Sequence, residues 1–214
     1  MFRKDMTSLF RTALALSLIA SAFAADAPLR AGILPFDVVS VNGATDAAGR
    51  SLAKLVRVEM IKSHKLAPEL LTPPSGASSP LPPAQAASLG AQSNVDIVLV
   101  GIVVDASVSQ SSKGLSTSVF GTGVSGRVNR STATVSLHMD LVSPSAGAVV
   151  DSFDVEGKGS ETGVGTDMAT SLGAFDVGDG SWMKTPMGKA LQEAARAVTD
   201  EVVKRSGKFR AATD

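Results

Sequence analysis

The fold is decided by a nearly continuous apolar stretch, VDIVLVGIVV at positions 95–104. Such a run is typical of a strand covered on both faces, so we predict a central strand here. From Ala133 to Leu141, apolar residues alternate with polar ones, which predicts a half-buried strand. The turn at 144–147 leads into Ala148–Glu156, which we expect to pair back as the second arm of a hairpin. These strands predict one sheet at the centre of the molecule.

The segments on either side predict a further strand and two amphipathic helices. Leu29–Val41 is predicted to be a first strand, at an edge or bulged, because Pro35 lacks an N–H donor. Apolar residues recur at helical spacing within Ala47–Ser63 and again in the C-terminal helix that follows Thr185. Pro186 fits the first position of that helix and Thr185 its N-cap. Helices and strands thus combine in one compact layer.

The remaining segments are rich in proline or in glycine and serine. Pro68–Pro83 holds six of the ten prolines and is predicted to be an irregular, partly extended linker before a short helix at Ala84–Ala91. Ser107–Arg130 and Gly157–Lys184 are Gly/Ser-rich. The predicted fold class is α/β (α+β), a single mixed β-sheet flanked by helices, with Gly/Ser-rich hairpin insertions.

The first residues have the pattern of an export signal. A basic start is followed by a short apolar run at 13–20 and by Ala22-Phe23-Ala24, which fits a signal peptidase site. The run is too short for a membrane-spanning helix, which needs about 20 residues. We therefore predict a signal peptide at 1–24, cleaved after Ala24, and one periplasmic α/β domain at 25–214. The mature chain carries a net charge near −2.

Composition excludes several classes of function. The chain has no cysteine, which excludes disulfides, thiol catalysis, cysteine-ligated metals and lipid attachment through cysteine. It has only two histidines and a formal net charge of zero, so it lacks both a histidine-rich metal site and the Lys/Arg excess that nucleic-acid binding needs. We predict no nucleic-acid partner, no cofactor and no metal.

The sequence does not predict a catalytic motif. Residues 121–126, GTGVSG, match G-x-G-x-x-G, but a strand and not a helix follows, so a dinucleotide site is not expected. His138 lies near Ser136 and Asp140 on one face of a single strand, whereas a Ser–His–Asp triad converges from separate positions. Three acidic residues on the hairpin arm are better explained by solubility: Asp151, Asp154 and Glu156. The sequence predicts no catalytic, cofactor-binding or metal-binding residue and no enzyme.

Two surfaces leave alternatives open. Arg50, Lys54, Arg57 and Lys62 in the first helix are explained by a solvated helix face, or by a docking surface for an acidic partner. Ser107–Arg130 is long enough for a membrane-crossing hairpin, which could exist in lipid only together with copies from other subunits. The simpler interpretation of that stretch is a soluble hairpin or loop on a periplasmic domain.

The order of these blocks resembles the CsgG-type curli production assembly/transport family. The resemblance spans most of residues 29–205 and rests on short segments in a fixed order: ILPF (33–36), ASLG (87–90), VDIVLVG (95–101), FGTG (120–123), the strand–turn–strand at 135–152, and TPMGKA (185–190). It implies a periplasmic α/β domain and a ring-forming secretion role, with Ala47–Ser63 and Thr185–Lys204 supplying packing and interfaces. The Gly-rich 157–184 stretch matches the family's second membrane hairpin.

The hypothesis is an exported, non-enzymatic cell-envelope protein, in the periplasm or associated with the outer membrane. By the resemblance it acts in assembly or secretion through oligomeric contacts, as a homo-oligomer or with other envelope proteins. Family channels are typically lipoproteins, whereas this chain has no cysteine. The alternative is therefore a soluble periplasmic adaptor of the same fold that binds another envelope protein without forming a pore.

Overall fold

The computed structural model describes residues 27–38, 46–119, 122–163 and 182–211. The predicted signal peptide and its cleavage site lie outside these ranges. None of the helices in the described ranges is long and apolar enough to cross a membrane.

One mixed sheet of six strands forms the centre of the fold, in the order β3-β1-β4-β5-β6 with β2 paired to β4. The strands are β1 (Leu29–Ile33), β2 (Asp37–Val38), β3 (Leu66–Leu70), β4 (Ile97–Val119), β5 (Thr122–Ser143) and β6 (Ala148–Gly163). The helices are α1 (Asp46–Lys62), α2 (Pro83–Gln92) and α3 (Pro186–Ala211), with a 3-10 turn at Trp182–Lys184 before α3. β1, β2 and β3 are parallel to their partners, and β4–β5–β6 is an antiparallel meander. The predicted single mixed sheet flanked by helices is confirmed.

The first strand differs from its prediction in position and length. It ends at Ile33, and Leu34–Phe36 separates it from the two-residue β2. The missing donor of Pro35 therefore falls in a break between two strands. β1 lies between β3 and β4, so the predicted edge position is wrong.

The prediction of an irregular linker at Pro68–Pro83 is wrong at its start, because Leu66–Leu70 is the edge strand β3. The Leu71 N–H donates to the Ile33 carbonyl, and the Leu29 N–H donates to the Lys65 carbonyl. The backbone N–H and C=O groups of the odd-numbered β3 residues therefore point toward β1. Since hydrogen-bonding direction alternates along a strand, Pro68 lies on the free side of the edge. There its missing N–H costs no ladder bond, and it blocks pairing with another strand.

The main core lies between one face of the sheet and helices α1 and α3. The predicted inner residues are buried in both helices and in β5: Leu52, Leu55, Val56, Met60, Ala133, Val135, Leu137, Met139, Leu141, Met187, Leu191, Ala194, Ala195, Val198 and Val202. Thr185 caps α3, because its Oγ1 accepts from the Gly188 N–H at 3.0 Å. A smaller cluster lies on the other face under α2, around Val98, Val100 and Val142.

Two glycines on β6 let α3 lie directly against the strand. A Cβ added at Gly157 would be 2.1 Å from the Ala190 carbonyl oxygen, and one at Gly159 would be 1.9 Å from the Pro186 carbonyl oxygen. Any side chain at these positions would push the helix away, since such contacts are far inside van der Waals distance. The glycines of this stretch therefore set the helix–sheet spacing.

Candidate functional site

The sheet face opposite α1 and α3 carries the candidates that the sequence analysis weighed for catalysis. On β5 it presents Ser136, His138 and Asp140, and β6 adds Asp154, which is the ladder partner of His138. The His138 Nδ1 lies 2.6 Å from the Asp154 carboxylate, and Nε2 lies 3.4 Å from the Asp140 carboxylate. Asp154 was not predicted as a partner of the histidine.

This arrangement favours the protonated form of the His138 ring. Its pKa is raised, chiefly by the hydrogen bond to Asp154 and further by the negative charge of Asp140, against the opposing effect of partial burial. Within the described residues, Ser136 forms no hydrogen bond to the ring. Ser152 instead donates to Asp140 at 2.5 Å. The geometry stabilises an imidazolium between two carboxylates. The expected absence of a nucleophile–base pair stays a prediction.

The three acidic residues of the hairpin arm have three separate partners. Asp154 binds His138, Glu156 binds Lys158, and Asp151 accepts from Nε of Arg205 at 3.1 Å. Asp154 and Glu156 are exposed, as expected, but Asp151 is only 27% exposed and Arg205 only 19%. Solubility alone therefore does not explain Asp151, which ties α3 to β6. No group of three His, Cys, Asp or Glu side chains in the described ranges is placed to hold a metal ion.

The G-x-G-x-x-G match lies at the tip of the β4–β5 hairpin. Its described residues, from Thr122 onward, belong to β5, and no helix follows them. The arrangement that a pyrophosphate needs, a glycine turn at a helix N-terminus, is therefore not formed by these residues.

Among the described residues, the long β4–β5 hairpin extends well beyond the globular core. The two strands remain in register from Asp105–Ser136 to Val119–Thr122, so the described residues of 107–130 form the two arms of a hairpin. The last hairpin residues that belong to the core are Val108 and Ala133. Nine residue pairs continue from Ser111–Arg130 to the tip, which at roughly 3.4 Å per residue is about 27 Å of ladder.

The register sorts the outer hairpin into two faces, because paired residues and alternate residues share a face. One face is mostly apolar or small and comprises Lys113, Leu115, Thr117, Val119, Thr122, Val124, Gly126 and Val128. The other comprises Ser112, Gly114, Ser116, Ser118, Gly123, Ser125, Arg127 and Asn129. We call these the apolar and polar hairpin faces.

The two faces are inverted relative to the base of the same hairpin. The apolar hairpin face continues the face that carries Ser107, Ser109, Thr132 and Thr134, away from α1 and α3. The polar hairpin face continues the face of Val108 and the other core residues. The apolar residues of the outer hairpin therefore do not continue the apolar side of its base.

A second surface is formed by α1. Arg50, Lys54 and Arg57 are exposed, as expected for a solvated face, and Lys62 pairs with Glu59 at 2.6 Å. Arg50, Lys54 and Arg57 form no ion pair or side-chain hydrogen bond within the described part of the chain. The helix also exposes two large apolar residues, Val58 and Ile61.

Comparison with known proteins identifies the family. The family model for the curli production assembly/transport component CsgG matches residues 75–212. No curated protein matches the chain in sequence. A solved hypothetical protein of Chlamydia trachomatis has a TM-score of 0.50 at 13% identity, covering 83% of this chain and 96% of that one, and supports the fold.

Two other solved structures are similar at lower scores. A PelC dodecamer from Paraburkholderia phytofirmans gives a TM-score of 0.37 at 15% identity, over 78% of this chain and 88% of that one. A minor lipoprotein from Acinetobacter baumannii gives 0.31 at 8% identity, over 83% and 94%.

The family match covers α2, the whole β4–β5–β6 meander and α3, which is more than half of the chain. The resemblance inferred from the short sequence segments is thus confirmed. Membership indicates an envelope-associated protein, and the chain belongs to the CsgG family of curli production assembly/transport components.

Proposed function

We propose that this chain is an exported, non-enzymatic envelope protein that acts in assembly or secretion through oligomeric contacts. It carries a leader cleaved after Ala24, works in the periplasm at the outer membrane, and uses no cofactor. Family membership supports the assembly role. The observation that carries the proposal is the inversion of the β4–β5 hairpin between its base and its outer nine residue pairs.

The outer hairpin has the dimensions and pattern for a bilayer. About 27 Å of ladder compares with a hydrocarbon core of about 30 Å, and a spanning strand needs roughly 9–11 residues. One apolar and one polar face are what a strand pair needs if lipid lies on one side and water on the other. Open strand edges are not tolerated in lipid, so a membrane role requires several copies side by side.

The test is membrane flotation of the full chain expressed with its leader, followed by native mass determination on the fraction that holds it. We expect a large, discrete oligomer floating with outer membrane. Leu115→Asp, on the apolar hairpin face, should release the protein into the soluble fraction. Ser116→Asp, one residue along on the polar hairpin face, is the matched control and should float like the wild type.

Two results would count against this proposal. If both variants float equally, the assignment of the apolar hairpin face to lipid is wrong. If the wild type stays soluble as a monomer or dimer, the second candidate is favoured, a periplasmic adaptor of the same fold that binds another envelope protein. The absence of cysteine favours that candidate, since no lipid can be attached through a thioether.

A further inference from the structure

The outer surface of α1 carries unneutralised positive charge on one stripe. Arg50, Lys54 and Arg57 follow one another at helical spacing, so they lie on neighbouring turns of the same face. None of them has an acidic partner among the residues that the structure describes. In a chain with equal numbers of acidic and basic residues, this stripe is a local excess of three positive charges.

An apolar cavity opens beside this stripe. It has a volume of about 280 Å³ and lies between α1 and the segment that follows β3. Its buried walls are Ile33, Ala53 and Leu71, and Arg50 and Lys54 line it as exposed residues. The cavity therefore combines an apolar interior with two cations that form no ion pair with any described residue.

A neighbouring cavity of about 210 Å³ shares part of this wall. It lies between the β1–β2 connection, the 73–81 segment and β4, and Arg50, Pro35 and Pro73 line both cavities. Its acidic residue, Asp37, is occupied, because it accepts from the Ser79 hydroxyl at 2.9 Å. Arg50 thus lines both cavities, and although the smaller one also contains the Asp37 carboxylate, the structure shows no ion pair between them.

The volume and position of the cavity indicate what it can hold. An apolar cavity of roughly 150 Å³ is large enough for benzene. The space beside α1 therefore accommodates one large apolar side chain. Addition of a strand at this edge is blocked by Pro68, so recognition here must proceed through side chains.

We propose that this surface docks an acidic segment of a partner protein, with one large apolar side chain in the cavity and carboxylates against Arg50, Lys54 and Arg57. A recessed cavity with buried walls favours an inserted side chain over a flat lipid surface. No residue of the outer hairpin lines the cavity, so this surface and the membrane role of the hairpin can be tested separately.

The test uses the mature full-length chain and fluorescent decapeptides with one Phe flanked by four acidic residues, measured by fluorescence anisotropy. We expect saturable binding that weakens with salt and is lost when Ser replaces the Phe. Lys54→Glu should weaken binding about tenfold or more, since it replaces an attraction with a repulsion. Lys65→Glu makes the same charge change on an exposed residue outside the stripe and should leave affinity unchanged.

Several outcomes would overturn the proposal. No binding at millimolar peptide, or equal loss in Lys54→Glu and Lys65→Glu, would show that the stripe is only a solvated helix face. Binding to vesicles with anionic lipid that Lys54→Glu abolishes, with no peptide binding, would assign the surface to a membrane instead. Circular dichroism of each variant checks that the fold is retained.

Discussion

A single methyl group at Gly159 should loosen the contact between α3 and the sheet. In Gly159→Ala the new Cβ would lie 1.9 Å from the Pro186 carbonyl oxygen, 2.7 Å from the Ala190 nitrogen and 2.8 Å from the Lys189 Cβ. Two of these three atoms are backbone, so the overlap cannot be relieved by a change of rotamer. The first turn of α3 must move away from β6.

The size of the effect follows from the cost of overpacking. Forcing extra carbon into a packed core costs typically about 1–3 kcal/mol, and a backbone clash belongs at the upper end of that range. For a chain of this length, 1 kcal/mol shifts the melting temperature by roughly 2–4 °C. Gly159→Ala should therefore lower the melting temperature of the mature chain by about 6–12 °C.

The same substitution elsewhere in the molecule provides the control. A Cβ at Gly207 would meet nothing within 4 Å, and this residue lies in the exposed part of α3. Gly207→Ala should raise the free energy of unfolding by about 0.5–1 kcal/mol, because alanine loses less conformational entropy in a helix. Thermal melts followed by circular dichroism would measure both. A Gly159→Ala melt within about 2 °C of the wild type would refute direct packing of α3 on β6.

Five further substitutions test the sheet register and its charged contacts. Leu137→Asp should prevent folding, because Leu137 is 1% exposed. Ser136→Asp, on the other face of the strand, should give the same soluble yield as the wild type. Similar yields for the two variants would show that the register is wrong. Because the pKa of His138 is raised above its ordinary value of 6.5 in the folded protein, the protonated ring stabilises the fold at pH values below 6.5. This stabilisation is lost as the pH rises through the folded-state pKa. His138→Gln should therefore lower the urea midpoint at about pH 5.5 and leave it nearly unchanged at about pH 9. An equal loss at both pH values would contradict the charge effect. Arg205→Met should cost about 2 kcal/mol in urea unfolding, since Arg205 binds two acidic residues and lies over Phe153, and Lys204→Met should cost far less.

The sequence predicts the elements whose burial pattern is regular. The alternation of Ala133–Leu141 and the apolar stripe of α3 each match one period of secondary structure, and both are confirmed. The run at 95–104 is a central strand as predicted, but the strand begins at Ile97 and Val104 is 59% exposed, so it is not covered on both faces along its whole length. β3 was missed because Leu66–Leu70 is short, contains Pro68, and buries only its first residue. A short edge strand that pairs with a single neighbour and is mostly exposed shows little hydrophobic alternation in its own sequence.

The contact between His138 and Asp154 shows what a local rule cannot supply. Counting outward from the pair Ser143–Ala148 beside the turn would place His138 opposite Phe153, on the wrong face. A register shift between Leu141 and Val142 moves the pairing by one residue and brings Asp154 opposite the histidine. The turn alone does not predict this irregularity, although the alternation of buried Phe153 and Val155 with Asp154 agrees with the face on which Asp154 lies.

The sequence alone does not predict the inversion of the long hairpin, for a related reason. On β4 alone, Leu115 and Val119 alternate with small polar residues, but the pattern is too weak to predict a lipid-facing side. Val124 joins the same face only once the register pairs it with Thr117, since a slip of one residue would put it with the serines. The register also shows that this face is continuous with the polar side of the base. Beyond Val108 the apolar residues of the hairpin lie on the side opposite to the main core, and this change of side is the reason to test the outer residues against a membrane.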